Sequence, residues 1–347
     1  MDGKTHRVRT PADWENLPEE ELLKLRVRDL GLKIEGSPLE PCIHRLYLEL
    51  EAKGIAFRPP CYLADEWLCP DRVPRVGIPF YLAHKRLKHL EQKMMLEVEG
   101  ATDDDCLQLL RHETGHAVNY AYVLFKRTRW RELFGPFNAR YPANYESQPY
   151  SRRYVNHLQD NYAQAHPDED WAETFAVWLD PESDWKERYR DWPAIKKLNY
   201  ADHLMREIGP KPPVVTEGGT YWSADRMTST LDAFYRRRRD YLGEDFPGFY
   251  DSGLLKIFPD GAAPQDSHPK ASVFLRHHRR QIINSVATWT GQRKFDIDNL
   301  LRKLIRRCDA LGLTMERDPA ETAVDVAAYV TAVITNVCRF FTDTEKK

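Results

Sequence analysis

The chain has 347 residues, of which 42% are hydrophobic, and its 51 lysine and arginine residues nearly balance 53 acidic residues. This composition is typical of a globular protein with one large domain or two moderate ones, and the near-neutral charge argues against a nucleic-acid binder. The sequence contains no run of about 18 apolar residues, so no membrane span is predicted. The charged residues 1–7 lack the apolar core of a signal peptide. We therefore expect a cytoplasmic protein.

The N-terminal part predicts helices around a few short strands. Three segments have the apolar spacing of amphipathic helices: residues 17–28, 40–53 and 81–98. Between residues 56 and 82, apolar residues alternate or cluster between prolines, which is typical of short strands in a small mixed sheet. Pro79 favours an edge position for the last strand, whose free backbone groups are then candidates for pairing with an extended peptide.

The next predicted helix carries the pentapeptide His112-Glu-Thr-Gly-His116, which fits the pattern H-E-x-x-H. The acidic residues 103–105 suit its N-terminus, and apolar residues on all sides of the motif predict a buried helix. Because residues four apart share a helix face, both imidazoles can face one ion while Glu113 lies beside it. Two neutral imidazoles suit zinc, and the adjacent carboxylate can take a proton from water.

Gly115, inside the same motif, predicts a close approach by another element, because glycine within a helix costs about 1 kcal/mol relative to alanine. The alternative interpretation of His112 and His116 is that they are polar residues of a buried helix, each bonded to a neighbouring carbonyl or carboxylate. An i, i+4 pair of histidines next to a glutamate favours the metal site. Such a site needs a third ligand.

Residues 134–154 are rich in Pro, Asn, Tyr and Ser and predict a long irregular connection, and long loops in compact domains are often functional. A second candidate helix follows His166, with proline and three acidic residues in its first turn. Glu169 and Glu173 lie one turn apart, so either carboxylate can complete a site of two histidines and one glutamate. The acidic residues 168–170 would also stabilise the positive end of the helix dipole without any metal.

The C-terminal part predicts helices without a functional motif. The Pro/Gly-rich stretch 210–219 suggests a domain or subdomain boundary. Four later segments have mostly helical apolar spacing: residues 224–242, 271–289, 296–311 and 319–341. The basic runs 236–239 and 276–280 predict solvated helix faces, because acidic residues lie nearby. The stretch around residues 259–269 is predicted to be irregular.

The HETGH motif, a gap of some fifty residues and the block from Tyr162 to Phe175 together resemble a family of bacterial zinc-binding metallopeptidases, whose members carry a similar H-P-x-E-D-[FW]-A-E-T block. The arrangement is also similar to the broader gluzincin class, including the lethal-factor type peptidases. The resemblance covers roughly residues 13–212 and implies a zincin-like metallopeptidase domain there, followed by a helical region 213–347 of unassigned role. The implied fold is α+β and mostly helical, with a small N-terminal mixed sheet and an active-site helix.

The resemblance also implies a role for each matching side chain. The implied ligands of one catalytic zinc ion are His112, His116 and Glu169. Glu113 would be the general base, and Glu173 would accept a hydrogen bond from the second ring nitrogen of His112, which fixes the orientation of that ring. Tyr162, seven residues before Glu169, would donate to the developing oxyanion.

The implied activity is hydrolysis of peptide bonds in a peptide or protein substrate by a zinc-activated water, with Glu113 as general base. Two other classes of function remain open. Activation of water by zinc does not define the acyl substrate, so the chain could instead hydrolyse a non-peptide amide or ester. It could also be a binding or regulatory protein that retains a metal site without turnover, although such a scaffold has no need of Glu113.

Overall fold

The computed structural model describes residues 11–141, 148, 150–239, 250–258 and 269–344. Contacts within the chain define two compact units. The first contains the residues up to Gln92 together with Val98–Phe234, and the second contains Lys93–Glu97 and Tyr235–Lys347. Among the described helices, none combines the length and the apolarity that crossing a membrane requires.

The described chain is mostly helical, as predicted. Its regular elements, in chain order, are α1 (Glu19–Leu23), α2 (Leu39–Ala52), β1 (Cys61–Ala64), β2 (Val76–Pro79), α3 (Lys85–Met95), α4 (Asp103–Ala121), α5 (Thr128–Phe134), α6 (Pro167–Leu179), α7 (Trp185–Arg188), α8 (Ile195–Ile208), α9 (Leu231–Arg239), α10 (Asp251–Ile257), α11 (Ala271–Thr290), α12 (Lys294–Leu311) and α13 (Pro319–Thr344). The helix predicted at residues 17–28 is shorter, because α1 ends at Leu23 and Val27–Leu30 form a 3-10 turn. The predicted irregular stretches at 134–154 and 259–269 lie partly outside the described residues.

The small sheet has two strands among the described residues, and not the mixed set of strands that the sequence predicted. Strands β1 and β2 are parallel, and isolated antiparallel bridges join Ala64 to Ser223 and Gly77 to Leu68. The amide and the carbonyl of Gly77 both bond to Leu68, and residues 76–83 are all buried. Among the described strands β2 pairs only with β1, so it lies at an edge as Pro79 predicted, although Gly77 on that edge already pairs with Leu68. Pairing of this edge with an extended peptide stays a prediction.

Helices α4 and α6 lie at the centre of the first unit. At the start of α4, the Thr102 side chain accepts a hydrogen bond from the amide of Asp105 at 3.1 Å, and three aspartates follow in the first turn. At the start of α6, Nδ1 of His166 accepts from a backbone amide two residues later at 3.1 Å, and Pro167 occupies the first turn. Most of α4 and nearly all of α6 are buried, and the burial of α4 confirms the expectation from the apolar residues around its motif.

Gly115 marks the point where α4 and α6 touch. A Cβ atom at this position would lie 2.7 Å from the Cα atom and 2.9 Å from the carbonyl oxygen of Ala172. The indole of Trp171 donates a hydrogen bond to the carbonyl of Gly115 at 2.8 Å and fixes the same crossing. The close approach predicted from Gly115 is confirmed, and it brings the H-E-x-x-H motif against α6.

We expect Gly115→Ala to lower the free energy of unfolding by about 2 kcal/mol. Alanine gains about 1 kcal/mol of helix propensity, but its methyl group would meet backbone atoms that cannot rotate away, and overpacking then costs about 3 kcal/mol, the upper end of its usual range. Thermal denaturation measures the difference. Gly219→Ala is the control, because a methyl group there would meet only a ring carbon of Tyr221, at 3.8 Å. Equal melting temperatures for the two variants would argue against the close crossing.

The second unit has its own hydrophobic core. Buried side chains from α10, α11, α12 and α13 form this core, among them Leu254, Leu275, Leu301 and Val330. Helices α11 and α12 each end at a glycine in the left-handed region, Gly291 and Gly312, which is the usual way to terminate a helix. The last three predicted helices are confirmed. The helix predicted at residues 224–242 begins later, at the start of α9.

The predicted domain boundary between residues 212 and 213 stays a prediction. Backbone hydrogen bonds join the segment that follows it to the first unit. The amides of Val214 and Val215 donate to the carbonyl of Ala121, and the amide of Leu231 donates to the carbonyl of Leu25. The first compact unit accordingly continues to Phe234.

Candidate metal centre

Three potential ligand atoms meet where α4 crosses α6. The Nε2 atoms of His112 and His116 lie 3.2 Å apart, and Oε2 of Glu169 lies 3.1 Å from the first and 3.2 Å from the second. All three side chains are buried, and they form the one group of this kind among the described residues. Donor atoms at 2.0–2.1 Å from one tetrahedral zinc ion lie about 3.3 Å from one another. The donor triangle therefore has the size and the chemistry that a zinc ion requires.

The second ring nitrogen of each histidine is bonded to a carboxylate of α6. Nδ1 of His112 donates to Oε1 of Glu173 at 2.8 Å, and Nδ1 of His116 donates to Oδ2 of Asp168 at 3.0 Å. With the ring proton on Nδ1, the Nε2 lone pairs are available to a cation. These two Nε2 atoms lie close to the carboxylate of Glu169, and acceptor atoms repel one another unless protons or a cation lie between them.

The two orienting carboxylates are themselves held in place. Oε2 of Glu173 accepts a hydrogen bond from the amide of Leu158 at 2.8 Å. Asp168 accepts from the side-chain amide of Asn119 at 2.7 Å and from the hydroxyl of Tyr120 at 2.5 Å. Each imidazole is thus oriented by a carboxylate that has at least one further partner. Such secondary partners commonly contribute 10–100-fold to the affinity of a metal site.

The electrostatics of the centre favour positive charge. Burial alone would lower the pKa of His112, but the carboxylates of Glu169 and Glu173 outweigh it and raise that pKa to about 10. Burial would also lower the pKa of His116, but the carboxylates of Asp168 and Glu169 outweigh it and hold that pKa well above the ordinary value. Glu169 is buried too, yet the two imidazoles keep its pKa well below the usual range. The donor triangle therefore lies in a strongly negative potential that attracts a cation.

Glu113 is buried beside the triangle without being part of it. Burial raises the pKa of Glu113 above its ordinary value, and the imidazoles of His112 and His116 partly oppose that shift. Its carboxylate makes no hydrogen bond to any other described residue. A buried carboxylate without a fixed partner is available to exchange a proton with water or substrate.

Tyr162 lies beside the centre. Its ring centroid is 5.7 Å from that of His112, with the two planes inclined by 48°. It belongs to the 3-10 turn Gln159–Gln164 that precedes α6. The structure places the phenol near the expected ligands, and its role as a hydrogen-bond donor in the reaction stays a prediction.

Three residues of this centre were not identified from the sequence. Asp168 was interpreted only as a partner of the helix dipole, whereas it orients His116. Tyr120 carried a usable signal, since it follows His116 by four residues and shares its helix face. Tyr141, whose hydroxyl donates to Oε1 of Glu169 at 2.9 Å, lies in an irregular segment where no periodicity could have indicated it.

The geometry defines a candidate centre of two imidazoles and one carboxylate, carried by two crossing helices. Residues 105–187 match the model of a family described as "putative zinc-binding metallo-peptidase". The match contains all three ligand candidates and confirms, over this segment, the resemblance seen in the sequence. No curated protein and no solved structure matches the chain. The zincin-like fold and the gluzincin class therefore stay predictions.

Proposed function

We propose that this chain is a zinc-dependent metallopeptidase that hydrolyses peptide bonds in a peptide or protein substrate. The observation that carries the proposal is the triangle of His112, His116 and Glu169 with Glu113 beside it. Structural zinc sites fill all four positions with protein ligands, whereas catalytic sites take three and keep one for water or substrate. Three ligands next to a buried, unpaired carboxylate correspond to the catalytic type.

Each residue of the centre has a separate role in the proposed hydrolysis. When bound, zinc supplies Lewis-acid chemistry, which polarises a carbonyl group and lowers the pKa of water. Glu113 takes the proton of the attacking water and returns it to the leaving amine. Tyr162 donates a hydrogen bond to the oxygen on which negative charge develops. Glu173 and Asp168 hold the two histidine rings in their working orientation.

Several finer parts of the proposal come from the sequence alone. These are the single zinc ion, the gluzincin arrangement, the cytoplasmic location and a substrate that is a peptide or protein. Neither a nucleic acid nor a membrane is among the proposed partners. The family match supports a hydrolase of the peptidase type, and the substrate itself is the subject of the experiment below.

The test is zinc-dependent cleavage of peptides by the full chain. The protein is stripped with a chelator, then incubated with a mixed peptide library before and after zinc is restored, and fragments are identified by mass spectrometry. We expect fragments only after zinc is restored. Turnover of small amides or esters without peptide cleavage would favour a non-peptide hydrolase. Stoichiometric zinc without turnover of any substrate would favour a binding scaffold.

A further inference from the structure

The two carboxylate oxygens of Glu169 have different surroundings. Oε2 faces the Nε2 atoms of both histidines at 3.1 and 3.2 Å, whereas Oε1 accepts a hydrogen bond from the hydroxyl of Tyr141 at 2.9 Å. A phenol is protonated at neutral pH and a carboxylate is not, so Tyr141 is the donor. One oxygen of Glu169 therefore belongs to the donor triangle, and the other is bonded to Tyr141.

The ring of Tyr141 rests on a fixed platform. It stacks on the imidazole of His166, with a centroid separation of 3.8 Å and an angle of 11° between the planes. Nδ1 of His166 accepts from the amide of Asp168, and its Nε2 donates to the carbonyl of Ala139 at 2.9 Å. His166 is the N-cap of α6, so the platform belongs to the helix that carries Glu169.

The segment leading to Tyr141 is anchored as well. Phe137 stacks on Phe125 with centroids 4.3 Å apart, and the guanidinium of Arg72 lies over both rings. Arg72 also donates to the side-chain oxygen of Asn138 at 3.0 Å. The stack on His166 holds the ring of Tyr141, and the contacts of Phe137 and Asn138 hold the backbone that leads to it. Such fixed contacts preorganise a side chain for one interaction.

We propose that Tyr141 is a positioning residue that holds Glu169 as a one-oxygen ligand of zinc. Carboxylates bind metals through one oxygen or through both. If Oε1 also bound, it would be a fifth donor beside the position that a catalytic site keeps for water or substrate, and it would crowd that position. By engaging Oε1, Tyr141 keeps that position available. This inference rests on the proposed zinc site.

The test is the visible absorption spectrum of the cobalt-substituted protein, compared between wild type and Tyr141→Phe. The substitution keeps the ring stack and removes the hydroxyl, and 52% of Tyr141 is exposed, so the fold tolerates the change. Release of Oε1 raises the coordination number, and five-coordinate Co²⁺ absorbs less strongly than four-coordinate Co²⁺. We expect weaker bands, about 10-fold weaker zinc binding in competition with a chelator, and an unchanged melting temperature.

Tyr150→Phe is the matched control, because this tyrosine lies in the same connection and is 97% exposed. Its spectrum and zinc affinity should equal those of the wild type. A wild-type cobalt spectrum for Tyr141→Phe would overturn the inference, whatever its zinc affinity, and would leave the proposed function intact. A wild-type chain that binds neither zinc nor cobalt would overturn both.

Discussion

Replacing Glu113 by glutamine is expected to reduce peptide hydrolysis by about 10²–10⁴-fold, the usual contribution of a general base. Glutamine has the shape of glutamate but cannot accept the proton of the attacking water. Zinc should stay bound, because Glu113 is outside the donor triangle of His112, His116 and Glu169. The measurements are kcat/KM on a peptide that the wild type cleaves, together with zinc content by elemental analysis.

The control for this variant is Glu217→Gln, which makes the same chemical change at an exposed position of the first unit. It should keep both zinc and activity. Wild-type kcat/KM in Glu113→Gln would refute the assignment of the base. Loss of zinc in that variant would instead mean that Glu113 contributes to holding the ion.

Replacing His116 by alanine is expected to abolish stoichiometric zinc binding and, with it, activity. The change removes one of three donor atoms, so zinc affinity should fall by more than the roughly 100-fold that loss of an orienting partner costs. It also removes the hydrogen bond from the imidazole of His116 to Asp168, although Asn119 and Tyr120 still donate to that carboxylate. Chelator competition measures the affinity, and elemental analysis after gel filtration measures the stoichiometry.

His44→Ala is the matched control for the histidine variant, because His44 is an exposed residue of α2 in the same unit. It should bind zinc as the wild type does. Undiminished zinc affinity in His116→Ala would show that the ion binds elsewhere. Together, the Glu113 and His116 variants separate the two roles, since one should lose turnover alone and the other should lose zinc as well.

The parts of the centre that lie on regular helices could be predicted from the sequence. End signals located the starts of α4 and α6, because both helices begin at a capping side chain followed by acidic residues in the first turn. The four-residue spacing then placed both histidines on one face. It also placed Glu169 and Glu173 on one face of α6, but spacing alone could not decide which carboxylate lies next to the Nε2 atoms of the two histidines. The crossing at Gly115 decides it, and Glu169 is the one.

Other parts of the centre depend on tertiary contacts that spacing does not encode. The sequence indicates Asp168 only as a partner of the helix dipole, and the position of α4 is needed to show that it bonds to His116. Tyr141 reaches Glu169 from an irregular segment, for which the chain offers no periodic signal. The edge of β2 was predicted to be free because nothing in the sequence indicates that Leu68 pairs with Gly77.

The connection between α4 and α6 begins and ends at the same helix crossing, since α4 ends at Ala121 and α6 begins at Pro167. The entropy lost in closing a loop grows only with the logarithm of its length, by about 0.6 kcal/mol for each doubling. The three ligand candidates lie outside this connection, on the two helices themselves. Insertions beside Tyr150, which is almost fully exposed and lies apart from α5, Tyr141 and Tyr162 in the sequence, should therefore cost the fold little and leave the donor triangle in place. That part of the connection is suited to engineering a new substrate preference.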